Sequence, residues 1–245
     1  ALDGVQAIFG MHNKPDLPVG TIGIKSGALM AAADGFVVEV AGRGTHAAVP
    51  EAGNDPIVTA AHLVTALQSI VSRNVGSLES AVISVTKLHS GTAWNVVPEA
   101  ALLEGTIRTF DEEVRRRVLQ RFEEVVQGVA AAFGTTASVR WIEGPPPVLN
   151  DPKLAELGLA AAEAAGYQGI MPVPSPAGED FSWYQREVPG LFVFMGTDGP
   201  QEWHHPAFDL DERAIPVSIG FFTKLAELAL EELERDNRLK EGVSR

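Results

Sequence analysis

Between residues 35 and 143 the hydrophobic period switches between two and about 3.6 in one fixed order, and few folds satisfy that order. Gly35-Phe36-Val37-Val38-Glu39-Val40 reads as a β-branched strand closed by Ala41-Gly42. A helix from Pro56 to about Ser72 follows, opened by Asp55-Pro56, with Ile57, Ala61, Val64, Leu67 and Val71 at helical spacing. Ala81–Leu88 (AVISVTKL) and Ala101–Phe110 (ALLEGTIRTF) alternate as strands. A second helix then presents Val114, Val118, Phe122, Val125 and Val129 on one face, and Ala137–Ile142 gives a last strand. The order β-α-β-β-α-β is the ferredoxin-like split βαβ arrangement: a four-stranded antiparallel sheet with both helices on one face. Its other face and an edge strand are left available, and such an edge invites a second copy, so a homodimer is expected.

The flanks differ in character. Pro152–Ala165 is an alanine-rich helix, a short strand lies around Ile170, and Glu212–Arg235 forms a long terminal helix. Leu191-Phe192-Val193-Phe194-Met195-Gly196 is a continuous apolar run of the kind buried on both faces of a parallel α/β sheet. With a strand at Gln6–Phe9 this material gives about three strands, thin for a doubly wound sheet. The expected organisation is therefore α/β: a catalytic domain with a mixed or parallel sheet, made from residues 1–34 and 145–245 and incomplete at its N-terminus. A ferredoxin-like lid at 35–144 interrupts it. Ala1–Gly10 already reads as the approach to and body of a buried strand, so the chain is expected to be one entered midway through a fold.

The net charge of −13 argues against nucleic acid or an anionic membrane surface as partner. No apolar run is long enough to span a bilayer and no signal peptide opens the chain. The absence of cysteine removes thiolate ligands and disulfides, which suits a reducing cytoplasm.

Histidine carries the chemistry. His12, in Gly10-Met11-His12-Asn13-Lys14-Pro15, follows directly on the Ala7–Phe9 strand, where α/β sheets gather ligand residues. His204 and His205 lie in a loop after the Leu191–Met195 strand, an equivalent position. Imidazole is the usual ligand for zinc, nickel or manganese-type ions, and adjacent histidines point apart, so His204 and His205 do not both serve one ion. Glu179 and Asp180 precede a helix, where helix capping is the plain alternative. His46 sits in a glycine-rich loop, Asn95 in a turn and Arg108 on a strand. These residue types bind carboxylates or stabilise oxyanions, although each alone also suits a turn or a solvated surface. His62 and His89 read as structural.

The strings GMHNKP, GRGTHAAVP, NDPI, GTAWNVVPEA, GTIRTF, GEDFSWY and WHHPAFDLDE together resemble, in order and over essentially the whole chain, the metal-dependent N-acyl-amino-acid amidohydrolases. These include hippurate hydrolase and the plant indole-acetyl-amino-acid hydrolases. The resemblance implies a two-metal catalytic domain (Zn, Mn, Ni or Co) interrupted by a lid through which the enzyme dimerises, and an N-acyl amino acid as substrate. It implies His12 and His204 as metal ligands, with His205 the alternative to His204. It makes His46, Asn95 and Arg108 the set that polarises the scissile carbonyl and grips the substrate carboxylate, in one chain or across the dimer. Glu179 matches an acidic residue lining the site. The family's C-G-H-D-x-H motif and Glu-Glu pair, which hold the other ligands and the general base, do not occur here. The metal site is thus expected to be incomplete in these residues, and a non-catalytic dimerising fragment is the alternative. A related aminopeptidase or desuccinylase is a further one, although His12 stands where those relatives usually carry a carboxylate.

Overall fold

The structure, a computed structural model, describes residues 2–243, with side chains described as far as residue 235. The first half contains β1 (Ile8–Lys14), β2 (Thr21–Gly23), β3 (Gly27–Met30), β4 (Ala32–Ala41), β5 (Thr45–His46), α1 (Pro56–Asn74), β6 (Ala81–Ser90), β7 (Val96–Val97) and β8 (Ala100–Thr109). Then follow α2 (Glu112–Ala132), β9 (Thr136–Ile142), β10 (Val148–Asn150), α3 (Pro152–Ala164), β11 (Gln168–Ile170), α4 (Phe181–Gln185), β12 (Gly190–Gly196) and α5 (Ala214–Val243). The chain divides into two compact units. The first comprises residues 1–29, 148–174 and 181–245; the second comprises 30–147 and 175–180.

The second unit is an antiparallel sheet in the order β6-β8-β4-β9, the ferredoxin-like order, with α1 and α2 packed on one face. Asp55 caps α1 by accepting the Ile57 N–H at 2.8 Å, and Asp111 caps α2 by accepting from Glu113 and Val114. On α2 the buried stripe is Val114, Val118, Phe122, Val126 and Ala130, with Val125 and Val129 at its margin. On α1 the stripe is rotated from the expected one: Thr59, Ala60, Leu63, Leu67 and Ile70 are buried, while Ile57 and Ala61 are exposed. The helix turns Thr59 and Ala60 inward, where the Thr59 hydroxyl meets the buried Thr135 hydroxyl at 3.1 Å and Ala60 joins the core. Arg115 and Asp34 form a buried ion pair, with Nε and Nη2 each 2.7 Å from a carboxylate oxygen. His62 stacks on Phe133, a structural role.

The first unit carries a mixed sheet in the order β1-β12-β2-β11. β1 and β12 are parallel, as are β11 and β2, whereas β12 and β2 run antiparallel. β2, the strand added to the three expected, is too short to show a hydrophobic period. β12 is buried along its whole length, and Leu191, Val193 and Met195 meet Ala155, Ala161 and Ala162 of α3 and Phe221 and Leu225 of α5. A Cβ at Gly158 would come within 2.7 Å of Leu191, so the glycine sets the approach of α3. α5 begins at Ala214 rather than Glu212, because a turn closes first with the Ala214 N–H on the Asp211 carbonyl at 2.9 Å. The charged end of that helix past Arg235 lies outside the residues whose side chains are described. No helix among the described residues is long and apolar enough to cross a membrane.

Candidate active site

His12 lies inside β1, not after it. The strand runs on through His12-Asn13-Lys14 because each of these residues pairs with β12, His12 opposite Phe194. Backbone pairing with a fully buried neighbour outweighs the polar side chains that end the apolar run. Gly10 is required two residues earlier, since a Cβ there would come within 2.9 Å of Phe181 and Phe192.

The His12 ring is half-buried and its Nδ1 lies 2.9 Å from the Asn13 carbonyl. A carbonyl only accepts, so Nδ1 carries the proton and Nε2 holds the free lone pair. Trp203 packs against this ring with centroids 4.6 Å apart. Its indole N–H donates to the Asn13 carbonyl at 2.8 Å and approaches the Asn13 side-chain oxygen at 3.0 Å. The Lys14 ammonium lies 4.9 Å from the Trp203 ring centroid. The WHHP loop is thereby anchored on β1, and Trp203 is the residue sequence reasoning left without a role. Its signal was its place next to His204.

His204 and His205 differ. His204 is exposed, takes a left-handed φ of 64° and has no hydrogen-bond partner among the described residues. A non-glycine residue held there is uncommon and costs about 1–2 kcal/mol. The Nδ1 of His205 accepts the Ala207 N–H at 3.0 Å, so its neutral ring carries the proton on Nε2. Among the described residues no group of three or more His, Cys, Asp or Glu is arranged to hold a metal ion. His12 fits a metal in its donor chemistry, but the described residues supply no complete ligand set.

In the second unit the structure joins two of the expected residues and separates the third. β5 pairs with β7, His46 opposite Val96, and the ladder continues with the Ala47 N–H on the Asn95 carbonyl at 3.0 Å. His46 and Asn95 are therefore neighbours on an exposed loop pair. The Nδ1 of His46 accepts the Ala48 N–H at 3.1 Å, which leaves the ring proton on Nε2 as a donor. Arg108 stands near the far end of β8, eight residues beyond Ala100. At about 3.4 Å per residue this is roughly 27 Å along the strand. One copy does not bring His46 and Asn95 to its own Arg108.

Arg108 instead meets the segment that carries Glu179. Its Nε–H donates to the Pro176 carbonyl at 3.1 Å, and Nη1 donates to the Ile107 carbonyl and to the Thr106 hydroxyl. Arg108 also lines a cavity of about 560 Å³, together with Ser72, Val75, Ser80, Phe110 and Pro176. Glu179 is half-buried just before α4.

The model of the peptidase family M20/M25/M40 matches residues 1–228. The chain belongs to this family. Membership of peptidase family M20 bears out the family expected from the motifs. An N-acetyl-L-cysteine deacetylase of Bacillus subtilis (strain 168) is 51% identical over 233 residues, 95% of this chain and 56% of the relative. An N-acetyldiaminopimelate deacetylase of Geobacillus sp. (strain WCH70) is 40% identical over 217 residues, 87% of this chain and 57% of the relative. A solved structure described as a dinuclear metal-binding peptidase from the M20 family, of Bacillus subtilis, superposes with a TM-score of 0.82 at 45% identity. It is matched over 94% of this chain and 59% of its own. The chain thus spans less than two thirds of the length of these M20 relatives.

Proposed function

We propose that the protein hydrolyses the amide bond of N-acyl amino acids, with acetyl as the acyl group, and needs divalent metal to do so. The observation that carries this reading is the opposite protonation of two histidines. His12 presents a lone pair on Nε2, as a metal ligand must, and its Nδ1–H is held by a carbonyl in the manner of ligating histidines. His46 presents an Nε2–H, as a donor to a developing oxyanion must. The deacetylase relatives support the acyl group, and the dinuclear relative supports two metals.

In this reading His12 and His204 contribute to the metal centre; His205 does not, because its Nδ1 is occupied and its Nε2 protonated. A bound divalent ion would supply Lewis acidity and an acidified water. His46 donates to the carbonyl oxygen as it gains charge, Asn95 holds the substrate beside it, and Arg108 offers its remaining Nη2 donor to the substrate carboxylate. Glu179 lines the site. Because His46 and Asn95 lie far along the sheet from Arg108, the set is completed across a homodimer formed through the ferredoxin-like unit. Its edge strand β6 leaves Val82 and Leu88 half-exposed.

Two measurements test the reading. N-acetyl amino acids should be hydrolysed in a chelator-sensitive way by the full-length protein; full activity after exhaustive metal removal would overturn it. Mixing a His46→Ala copy with an Arg108→Ala copy should restore turnover, since one site of each mixed dimer then holds both native residues. Persistent inactivity of the mixture, with mixed dimers present, would refute the shared site. The absence of a three-residue ligand group among the described residues supports a second reading for the 245 residues by themselves, a dimerising fragment that binds metal weakly. Stoichiometric metal and turnover in that chain would exclude it.

A further inference from the structure

We propose that the cavity beside Arg108 receives the side chain of the substrate amino acid and selects uncharged, apolar chains of about norleucine length. The inference rests on the reading above in one respect, that Arg108 takes the substrate carboxylate. The cavity has a volume of about 560 Å³, and its walls belong wholly to the second unit. The end of α1 gives it Val71, Ser72 and Val75, and Ser80 stands just before β6. Phe110, two residues beyond Arg108, adds an aromatic wall. Val71 and Val75 also pack against the hydrophobic core of the unit, so the surface they present is fixed in place.

The carboxylate and the side chain of an amino acid leave the same α-carbon. A carboxylate held by the remaining Nη2 of Arg108 therefore brings the side chain beside the cavity that Arg108 lines. The charges around that cavity are already matched. One oxygen of Glu79 pairs with Arg117 and accepts the Gly76 N–H at 2.7 Å. Arg108 is engaged by the Pro176 and Ile107 carbonyls, the Thr106 hydroxyl and, in this reading, the substrate carboxylate. No charge of either sign is left over for the far end of a side chain. A charged end that leaves water without a partner is penalised, whereas each methylene placed on the valine and phenylalanine walls raises affinity by about twofold to fourfold.

Calorimetry on the metal-depleted full-length protein reads binding without turnover. The N-acetyl derivatives of L-alanine, L-norvaline and L-norleucine differ only in methylenes. Affinity should rise along the series, by about eightfold to sixtyfold from the first to the last. Nα-acetyl-L-lysine and N-acetyl-L-glutamate should bind at least about tenfold more weakly than the norleucine compound. Ser80→Trp, at an exposed position on the cavity wall, should bring the norleucine-to-alanine ratio close to one. Ser72→Trp carries the same test from the exposed side of α1 where the first variant does not fold. Equal affinity along the series, no binding of any member, or a ratio unmoved in a folded variant overturns the proposal. Tighter binding of the lysine or glutamate derivative overturns it too. An affinity order that holds in a protein showing no turnover once metal is restored overturns the functional reading and upholds the cavity as the side-chain site.

Discussion

Asp34 and Arg115 meet in the interior of the second unit through two parallel hydrogen bonds of 2.7 Å, and both are nearly sealed from solvent. The pair is further joined by Arg115 to the Gly144 carbonyl at 3.3 Å. Removing one partner strands a charge in the interior, whereas removing both leaves an apolar site.

Asp34→Ala should therefore destabilise the protein by about 3–5 kcal/mol, and the double replacement Asp34→Ala/Arg115→Met by markedly less. Denaturant unfolding of the wild type, the single variants Asp34→Ala and Arg115→Met, and the double variant measures this. A double variant as unstable as the sum of the two single ones would contradict it.

Metal binding should separate the histidines. His12→Ala and His204→Ala should each weaken affinity by more than about tenfold, and Trp203→Phe, which loses the bond to Asn13, should weaken it by about tenfold. His205→Ala should leave affinity unchanged. Calorimetric titration of the full-length protein with zinc reads all four, and a His205 effect equal to that of His204 would reverse the assignment.

His46→Ala should lower kcat by about 10²–10³ with little change in KM, because in the proposed reaction its Nε2–H donates to charge that develops only at the transition state. A rise in KM with kcat preserved would make His46 a ground-state binder.

Acid should erode the second unit through Glu79. The Arg117 guanidinium, and then the Gly76 N–H, hold the Glu79 carboxyl below its ordinary value. A carboxyl more acidic in the folded than in the unfolded chain stabilises the fold above its unfolded value. That contribution disappears as pH falls through the folded one. Thermal midpoints should thus decline below about pH 4, and Glu79→Gln should flatten the decline. Identical slopes for the two proteins would count against it.

The ferredoxin-like unit was legible because each element is long enough to show its period. Even there the face of α1 was misread: Ile57 and Ala61 have helical spacing but Thr59 and Ala60 are the ones buried. The first unit was less legible. Thr21-Ile22-Gly23 is three residues of strand, and His12-Asn13-Lys14 are polar residues kept extended by β12 alone. The neighbourhood of His46 and Asn95 depends on a two-residue ladder, and the link from Arg108 to Pro176 joins positions 68 residues apart. No local pattern encodes either. The histidine motifs themselves were visible, but their tautomers follow from backbone groups at Asn13 and Ala48 that only the fold brings into place.

The indole that steadies His12 also reports on it. Of the four tryptophans, Trp203 is the one packed on His12 among the described residues. Excited indole loses its emission to a nearby cationic imidazole or open-shell ion. Binding of the proposed metal at His12 is thus written into the protein's own ultraviolet fluorescence and can be followed in solution without a label.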